Sequence, residues 1–226
     1  MNYSDIQLFL PEILIFAGAI LVLLTDLFFA EKSYPIVLSI ALITLVASFI
    51  SLFHIFWLPA SFLFGKMLIH DQVAVLLNMM ICLTGLFAFI YAFRYLDHQN
   101  LQKGEFYSLA LLAILGMMLL TSSNHLLVLF LGLELSALPV YALVAINRDS
   151  AKATEAAMKY FLMGAVASGI LLYSMSIIYG LTDSFNLQTI FQNISHSQDK
   201  KIILLVSLTF LFATTAFKLG AAPFHM

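Results

Sequence analysis

Charged side chains are scarce in this sequence. They make up 10% of its 226 residues, whereas 62% are hydrophobic, and the mean hydropathy is +1.02. A soluble globular domain carries about 25% charged residues, so the composition excludes that class. The formal net charge of −2 comes without a basic cluster, and we predict no nucleic-acid partner.

Cysteine is nearly absent as well. The single Cys82 lies inside an apolar run, which excludes a disulfide framework and a set of thiolate ligands. The six histidines lack the spacing of metal ligands, and no glycine-rich phosphate loop follows a strand. We therefore predict no metal site, no cofactor-binding site and no ordinary hydrolytic site in this chain.

Long apolar runs dominate what remains. About 20 residues of helix, rising about 1.5 Å each, cross a hydrocarbon core of about 30 Å. The runs predict an all-α, polytopic transmembrane helix bundle with about seven spans, at 11–29, 35–58, 72–94, 106–121, 125–146, 154–180 and 201–223. Because the first residues lack the positive charge of a signal peptide, we expect the first span to be retained. Glu12 and Asp26, near the two ends of that span, are expected at the membrane interface.

The links between the spans carry their own signals. The short link 122–125 predicts that the fourth and fifth spans are antiparallel neighbours, and residues 62–69 are compatible with a small extracellular hairpin. Residues 94–105 read as the most charged loop. In the long link 181–201, helical spacing of apolar residues predicts a short amphipathic helix on the membrane surface, carried by Leu187, Ile190, Phe191 and Ile194.

Orientation follows from the basic residues of the links. One side carries five, Lys32, Arg94, Lys103, Arg148 and Lys152, and the other carries three, Lys66, Lys200 and Lys201. The bias predicts a periplasmic N-terminus and a cytoplasmic 94–105 segment.

Glu134 is the one ionisable residue in the middle of the fifth span. An ionised carboxylate there costs about 2.5–3.5 kcal/mol on insertion scales, so it needs a partner, a proton or a water-filled cavity. Gly132 and Ser136 form a small-residue face on which another helix can approach, and Pro139 frees the carbonyl of Leu135. The alternative is a protonated glutamic acid tolerated in a crowded bundle.

Lys159 and Lys218 are the other intramembrane candidates. Lys159 follows Glu155 by four residues, so an ordinary ion pair on the helix surface and a functional role are equally compatible with the sequence. Lys218 follows sixteen apolar or hydroxyl residues and is either an interfacial anchor or part of an ion path. Gly220 and Pro223 interrupt the helix just after it, and broken membrane helices occur where backbone is buried in protein or lines a cavity. The break favours an ion or proton path.

Three segments carry a family resemblance: LELSALPVY at 133–141, AMKYFLMGA at 157–165 and FKLGAAPFH at 217–225. Together they closely resemble the subunit N family of bacterial NADH:quinone oxidoreductase (respiratory complex I), along the whole chain. The third segment is shared more loosely with sister antiporter-like subunits and sodium/proton antiporter assemblies. The resemblance implies a membrane-arm subunit in the bacterial inner membrane that contacts other membrane-arm subunits, lipid and protons.

The resemblance also implies site roles. In this family a Glu in the fifth helix and lysines in the sixth and the broken seventh helix form half of a proton channel, and Glu134, Lys159 and Lys218 occupy those positions. Lys218 is expected as the central proton carrier, Glu134 as its modulator and Lys159 as a relay, with His225 as a possible extension. NADH, flavin, iron–sulfur clusters and quinone are expected in other subunits.

This sequence departs from the family pattern in length. Family members are about twice as long. We therefore expect three leading helices in residues 1–105 and an incomplete first antiporter-like repeat in 106–226. The second repeat is absent from this sequence, and a fragment of a longer protein is favoured over a truncated gene. A multi-subunit cation/proton antiporter and a non-transporting assembly factor or non-functional fragment remain alternatives. The source organism, quinone type, proton stoichiometry and packing of neighbouring subunits are outside what the sequence tells.

Overall fold

A computed structural model describes residues 3–28, 34–99, 101, 103–194 and 201–221. Helices and one small hairpin make up its regular structure. In chain order these are α1 Tyr3–Leu8, α2 Leu10–Phe28, α3 Tyr34–Ile55, β1 Ser61–Leu63, β2 Leu68–His70, α4 Gln72–His98, α5 Glu105–Thr121, α6 Leu126–Val144, α7 Ala151–Thr182, α8 Leu187–Ile194 and α9 Lys201–Lys218.

The seven predicted spans are confirmed as helices. Six of them are long and apolar enough to cross a membrane, and α5 is a shorter apolar helix of 17 residues, about 25 Å long. Several helix ends differ from the predicted ones. The helix α3 ends at Ile55, before the predicted residue 58, and α7 extends to Thr182, beyond the predicted residue 180. The predicted charged loop was wrong at its start, because α4 continues to His98 and includes Arg94 and Asp97.

Two apolar cores hold the helices together. The larger core joins α2, α3, α4 and α5 around side chains such as Leu45, Phe89 and Tyr107, and the smaller one joins α6, α7 and α8 around Leu171 and Met175. The helix α6 connects the two groups because it packs closely on α5, and α9 packs on α7. The predicted antiparallel pairing of the fourth and fifth spans is confirmed.

One end of the bundle is tied together by backbone hydrogen bonds between distant links. The predicted hairpin exists, with Leu63 paired to Leu68. The amide of Ile69, in the hairpin, donates to the carbonyl of Ser122 at 2.8 Å. The amide of Leu126 donates to the carbonyl of Phe185 at 2.9 Å. The hairpin, the link 122–125 and the start of α8 therefore lie on the same side, as alternating crossings require.

The opposite end is joined by charged side chains. The Lys103 ammonium donates to the carbonyl of Ile146 at 2.9 Å, and Arg148 pairs with Glu105 at 2.7 Å. These contacts join the links before α5 and after α6.

Glu12 is buried within the protein. The residue is only 5% exposed and lies among α2, α4 and α5, where Asn78 donates to it. It is in the first turn of α2, and its placement at the membrane interface stays a prediction. Asp26, at the other end of α2, lies against Gly104.

Candidate functional site

The helix α6 places Glu134 near its own midpoint, the ninth of nineteen residues. The small face next to it lies against α5, where a Cβ added to Gly132 would approach the Leu120 backbone nitrogen to 2.9 Å. The expected small-residue contact is therefore present, and α6 remains helical through Pro139. With that face occupied by α5, the Glu134 carboxylate reaches partners on α7 and α9.

Lys218 is the partner from α9. Its Nζ donates to Glu134 Oε1 at 2.5 Å, and the two side chains are 7% and 19% exposed. The two residues are 84 positions apart in sequence, so the ion pair exists only because α6, α7 and α9 converge. Inside a membrane such a pair removes two charges from lipid at once, which neither residue achieves alone.

The end of α9 fixes the position of Lys218. Gly220 has φ +64°, the Gly220 amide donates to the carbonyl of Phe217 at 3.0 Å, and the Ala221 amide donates to that of Ala216 at 2.9 Å. These are the two hydrogen bonds of a Schellman C-cap, which needs a left-handed residue and therefore favours glycine. Lys218 is the last helical residue, where carbonyl dipoles favour a cation.

Ser168 on α7 completes the pair's surroundings. Its hydroxyl is in short hydrogen-bonding contact with Glu134 Oε1 and also lies 2.9 Å from the carbonyl of Gly164. One O–H can donate to only one of these acceptors at a time. In the sequence Ser168 follows Gly164 by four residues, a spacing that predicts a small-residue helix face. Its hydroxyl in an otherwise apolar stretch was the available signal of a polar contact.

Lys159 does not join this group. Its ammonium pairs with Glu155 at 2.6 Å, one turn earlier on α7, and the two side chains are 74% and 66% exposed. This is the ion-pair alternative that the sequence left open. The Gly164–Ser168 face does contact α6, whereas a Cβ added to Gly169 would meet nothing within 4 Å among the described residues.

The proposed extension of the path lies beyond the part of the chain that can be described. Pro223 and His225 fall outside the described residues, so the helix break is documented only at Gly220. Within the described ranges, no group of three or more His, Cys, Asp or Glu side chains could hold a metal ion.

The chemistry available at the pair is proton exchange. A carboxylate, an ammonium and a hydroxyl share one contact in a protein interior, and each can gain, lose or redirect a proton without a cofactor.

Comparison with known proteins gives consistent results. A family model described as "NADH:quinone oxidoreductase/Mrp antiporter, TM" matches residues 123–226. NADH-quinone oxidoreductase subunit N of Thiobacillus denitrificans is 44% identical over 218 residues, and that of Coxiella burnetii is 43% identical over 221 residues. Each alignment covers 96% of this chain, but only 45% and 46% of the relative.

Solved structures support the same fold. A chain of respiratory complex I from Thermus thermophilus matches with a TM-score of 0.74 and 29% identity, over 95% of this chain and 45% of that one. A chain of the Mrp complex from Dietzia matches with a TM-score of 0.75 over 100% of this chain and 42% of that one, but at 18% identity, which shows a shared fold only. This multi-pass membrane chain is similar along nearly its whole length to NADH-quinone oxidoreductase subunit N proteins, and it spans about half the length of the curated relatives it matches.

Proposed function

We propose that this chain forms part of a proton-translocation channel in the membrane arm of a proton-pumping NADH:quinone oxidoreductase of a bacterial inner membrane. The single observation that carries the proposal is the Glu134–Lys218 ion pair at 2.5 Å, held where the apolar helices α6, α7 and α9 converge. Similarity of 40–44% to subunit N relatives supports the choice of complex. The redox centres and quinone site are assigned to other subunits.

The mechanism uses the distance between the two charges. At an effective dielectric constant of about 20, opposite unit charges attract by about 4 kcal/mol at 4 Å and by about 1.7 kcal/mol at 10 Å. Movement of Glu134 away from Lys218 therefore weakens the electrostatic stabilisation of the protonated lysine by about 2 kcal/mol. Lys218 keeps its proton while the pair is closed and passes it on when the pair opens.

Ser168 supports both states of Glu134. Its hydroxyl donates to the carboxylate in the closed pair, and the carbonyl of Gly164 offers an alternative acceptor at 2.9 Å. If Glu134 takes up a proton, the serine oxygen accepts from it while the O–H turns to Gly164. The carboxyl is hydrogen-bonded in either state.

Lys159 is proposed as a relay toward one half-channel, with His225 as a further step. For this role Lys159 must leave Glu155. Replacement of Glu155 by alanine should then preserve proton transfer, whereas Lys159→Ala should reduce it; equal effects of both replacements would assign the lysine to a structural ion pair.

The domain assignment is also a proposal. The group α2–α4 corresponds to three leading helices in residues 1–105, and α5–α9 to an incomplete first antiporter-like repeat in 106–226. The relatives' greater length leaves room for a second repeat that would supply the other half-channel.

The test uses the full-length protein in its assembled complex. NADH-driven acidification of inverted membrane vesicles, followed with a pH-sensitive dye, should fall about tenfold in Glu134→Ala and Lys218→Ala, because the lost attraction exceeds the ~1.4 kcal/mol that changes a rate tenfold. Glu134→Asp should retain much of the activity, since it keeps the charge. Quinone reductase activity should fall in parallel.

A matched control is the exposed pair Arg148–Glu105, with side chains 70% and 49% exposed. Arg148→Ala removes an ion pair of similar length and should leave pumping unchanged, since exposed pairs contribute little. Wild-type pumping by an assembled Lys218→Ala complex would show that Lys218 is only an anchor.

The antiporter alternative would use the same pair. It is less well supported than the complex I proposal, because this chain is only 18% identical to the matching chain of the Mrp complex, against 40–44% for the subunit N relatives. Sodium-driven proton exchange without NADH, lost in Lys218→Ala, would favour it. A protein that acts only as an assembly factor would not need a buried ion pair. A difference in proton pumping between the charge-conserving variant Glu134→Asp and the charge-removing variant Glu134→Ala would contradict that alternative.

A further inference from the structure

A second buried carboxyl lies apart from the Glu134–Lys218 pair, between α2, α4 and α5. Glu12 is 5% exposed, and its Oε2 is buried without a hydrogen-bond partner, while Oε1 accepts from Asn78 Nδ2 at 3.4 Å. An unpartnered buried carboxylate oxygen is costly, so this group requires an explanation that the proton path does not supply.

The neighbours of Glu12 define which oxygen accepts. The Thr121 hydroxyl is in contact with Asn78 Oδ1 and lies 2.8 Å from the carbonyl of Met118, its alternative acceptor. When it donates to Asn78, it orients the amide so that Nδ2 faces Glu12 and Ser122. Both amide hydrogens are then donated, to Glu12 Oε1 and to Ser122 Oγ. The geometry fits a neutral carboxyl group, with Oε1 as the carbonyl oxygen and Oε2 as the O–H.

Among the described residues that line this position, none is a cation that would balance a charge on Glu12. Glu12 lines a cavity of about 20 Å³ whose other polar residues are Asn78, Ser122 and His70, and whose remaining lining residues are apolar, with no Lys or Arg among those described. Burial lowers the pKa of His70, although a hydrogen bond to the Ile55 backbone and nearby Asp71 oppose this shift, so the imidazole is neutral at pH 7. Cys82 lies nearby but donates toward Ser48.

The cavity has the size of one water molecule. A site needs roughly 10–15 Å³ of this measure and two to four polar partners to hold water. Glu12, Ser122 and His70 all line it, and Oε2 is the Glu12 oxygen that has no partner in the protein. The carboxyl O–H therefore has a partner available in the form of a bound water.

We propose that Glu12, Asn78 and Ser122 form a hydrated proton-binding site in the leading helices, in which Glu12 is a neutral carboxylic acid that donates to one buried water. The ligands are a proton and a water molecule, and the site does not depend on the proposed proton path. It joins α2 to α4 and to the end of α5 through the hydrogen bonds of Asn78 with Glu12 and Ser122, and the neutral form avoids a buried negative charge for which no described lining residue offers a cation.

Infrared spectroscopy of the full-length protein in its complex at pH 7 tests the proposal. In the difference spectrum between wild type and Glu12→Gln, we expect loss of a protonated-carboxyl C=O band that shifts in D₂O. The frequency should be that of a hydrogen-bonded acid. Loss of a carboxylate band alone would overturn the neutral state, and a band at the frequency of an isolated acid would overturn the bound water.

Two further variants keep the result interpretable. Glu105→Gln removes an exposed, ion-paired carboxylate and should change only carboxylate bands. Thr121→Val removes the group that orients Asn78 and should move the Glu12 band while keeping its intensity. An unmoved band would show that the amide does not hold the carboxyl as inferred.

Discussion

At the scale of single residues, Glu134 has two partners from two other helices. Lys218 and Ser168 both meet its Oε1, so a change in either partner alters the same oxygen. The exposed pairs Lys159–Glu155 and Arg148–Glu105 have no such third member among the described residues.

Ser168 is the residue whose contribution can be isolated most cleanly. Ser168→Ala should lower proton pumping by about tenfold, because a hydrogen bond to a charged group contributes ~1.5 kcal/mol or more, and Ser168→Thr should restore much of it by returning the hydroxyl. Ser174→Ala is the matched control: it removes a buried hydroxyl in the same α7–α9 interface, which donates to the carbonyl of Ser207 at 2.8 Å. Equal losses of pumping in the two alanine variants would assign Ser168 to packing alone.

His70 predicts a pH dependence of stability. Burial lowers its pKa from 6.5 in the folded protein, so below that pH the unfolded chain binds a proton that the folded chain does not. Stability is therefore lost as pH falls through about 6.5. Thermal unfolding of the purified protein between pH 7.5 and about 5 should show a falling midpoint that flattens in His70→Gln; His98→Gln, at an exposed helix end, is the control and should keep the wild-type slope.

At the scale of elements, the contact between α5 and α6 sets the position of the site. A Cβ added to Gly116 would lie 2.6 Å from the backbone carbonyl carbon of Leu135, next to Glu134. Backbone cannot move aside as a flexible side chain can, so this helix pair tolerates only glycine at the crossing.

Gly116→Val should therefore separate α5 from α6. We expect destabilisation of about 1–3 kcal/mol or more from overpacking, together with reduced pumping, measured by thermal unfolding and by dye acidification. Gly169→Ala is the control, since nothing lies within 4 Å of the added carbon, and it should be neutral or stabilise α7 by up to ~1 kcal/mol. Full stability in Gly116→Val would contradict the close crossing.

At the scale of the whole molecule, the two ends of the bundle hold different kinds of contact. Backbone bonds join the hairpin, the link 122–125 and α8 at one end, and ion pairs and a lysine–carbonyl bond lie at the other. The excess of basic residues at the second end predicts that it faces the cytoplasm.

Orientation can be measured by labelling. In intact cells, an impermeant maleimide should modify a cysteine at Gln188, on α8, and spare one at His98, in a background where the buried Cys82 is replaced by alanine. Permeabilised cells should label both positions. Labelling of His98 alone in intact cells would reverse the proposed topology.

The sequence by itself determined the class, the spans and the three motifs. Apolar runs of about 20 residues admit one spanning structure, because backbone in lipid must satisfy its own hydrogen bonds within a helix. Turn and amphipathic patterns were likewise sufficient for the hairpin and for α8, because both depend on local spacing. Glu134 and Lys218 stood out because ionisable groups are rare at membrane depth.

Only the tertiary structure decided which of these groups meet. Spacing along α7 allowed Lys159 to face a channel or Glu155, and the rotation of that helix against α6 turned Ser168 inward and left Lys159 exposed. Glu12, expected at the interface, became buried because α4 and α5 place Asn78 and Ser122 around it. Burial and pairing depend on contacts between residues 34 to 84 positions apart, which no local pattern encodes.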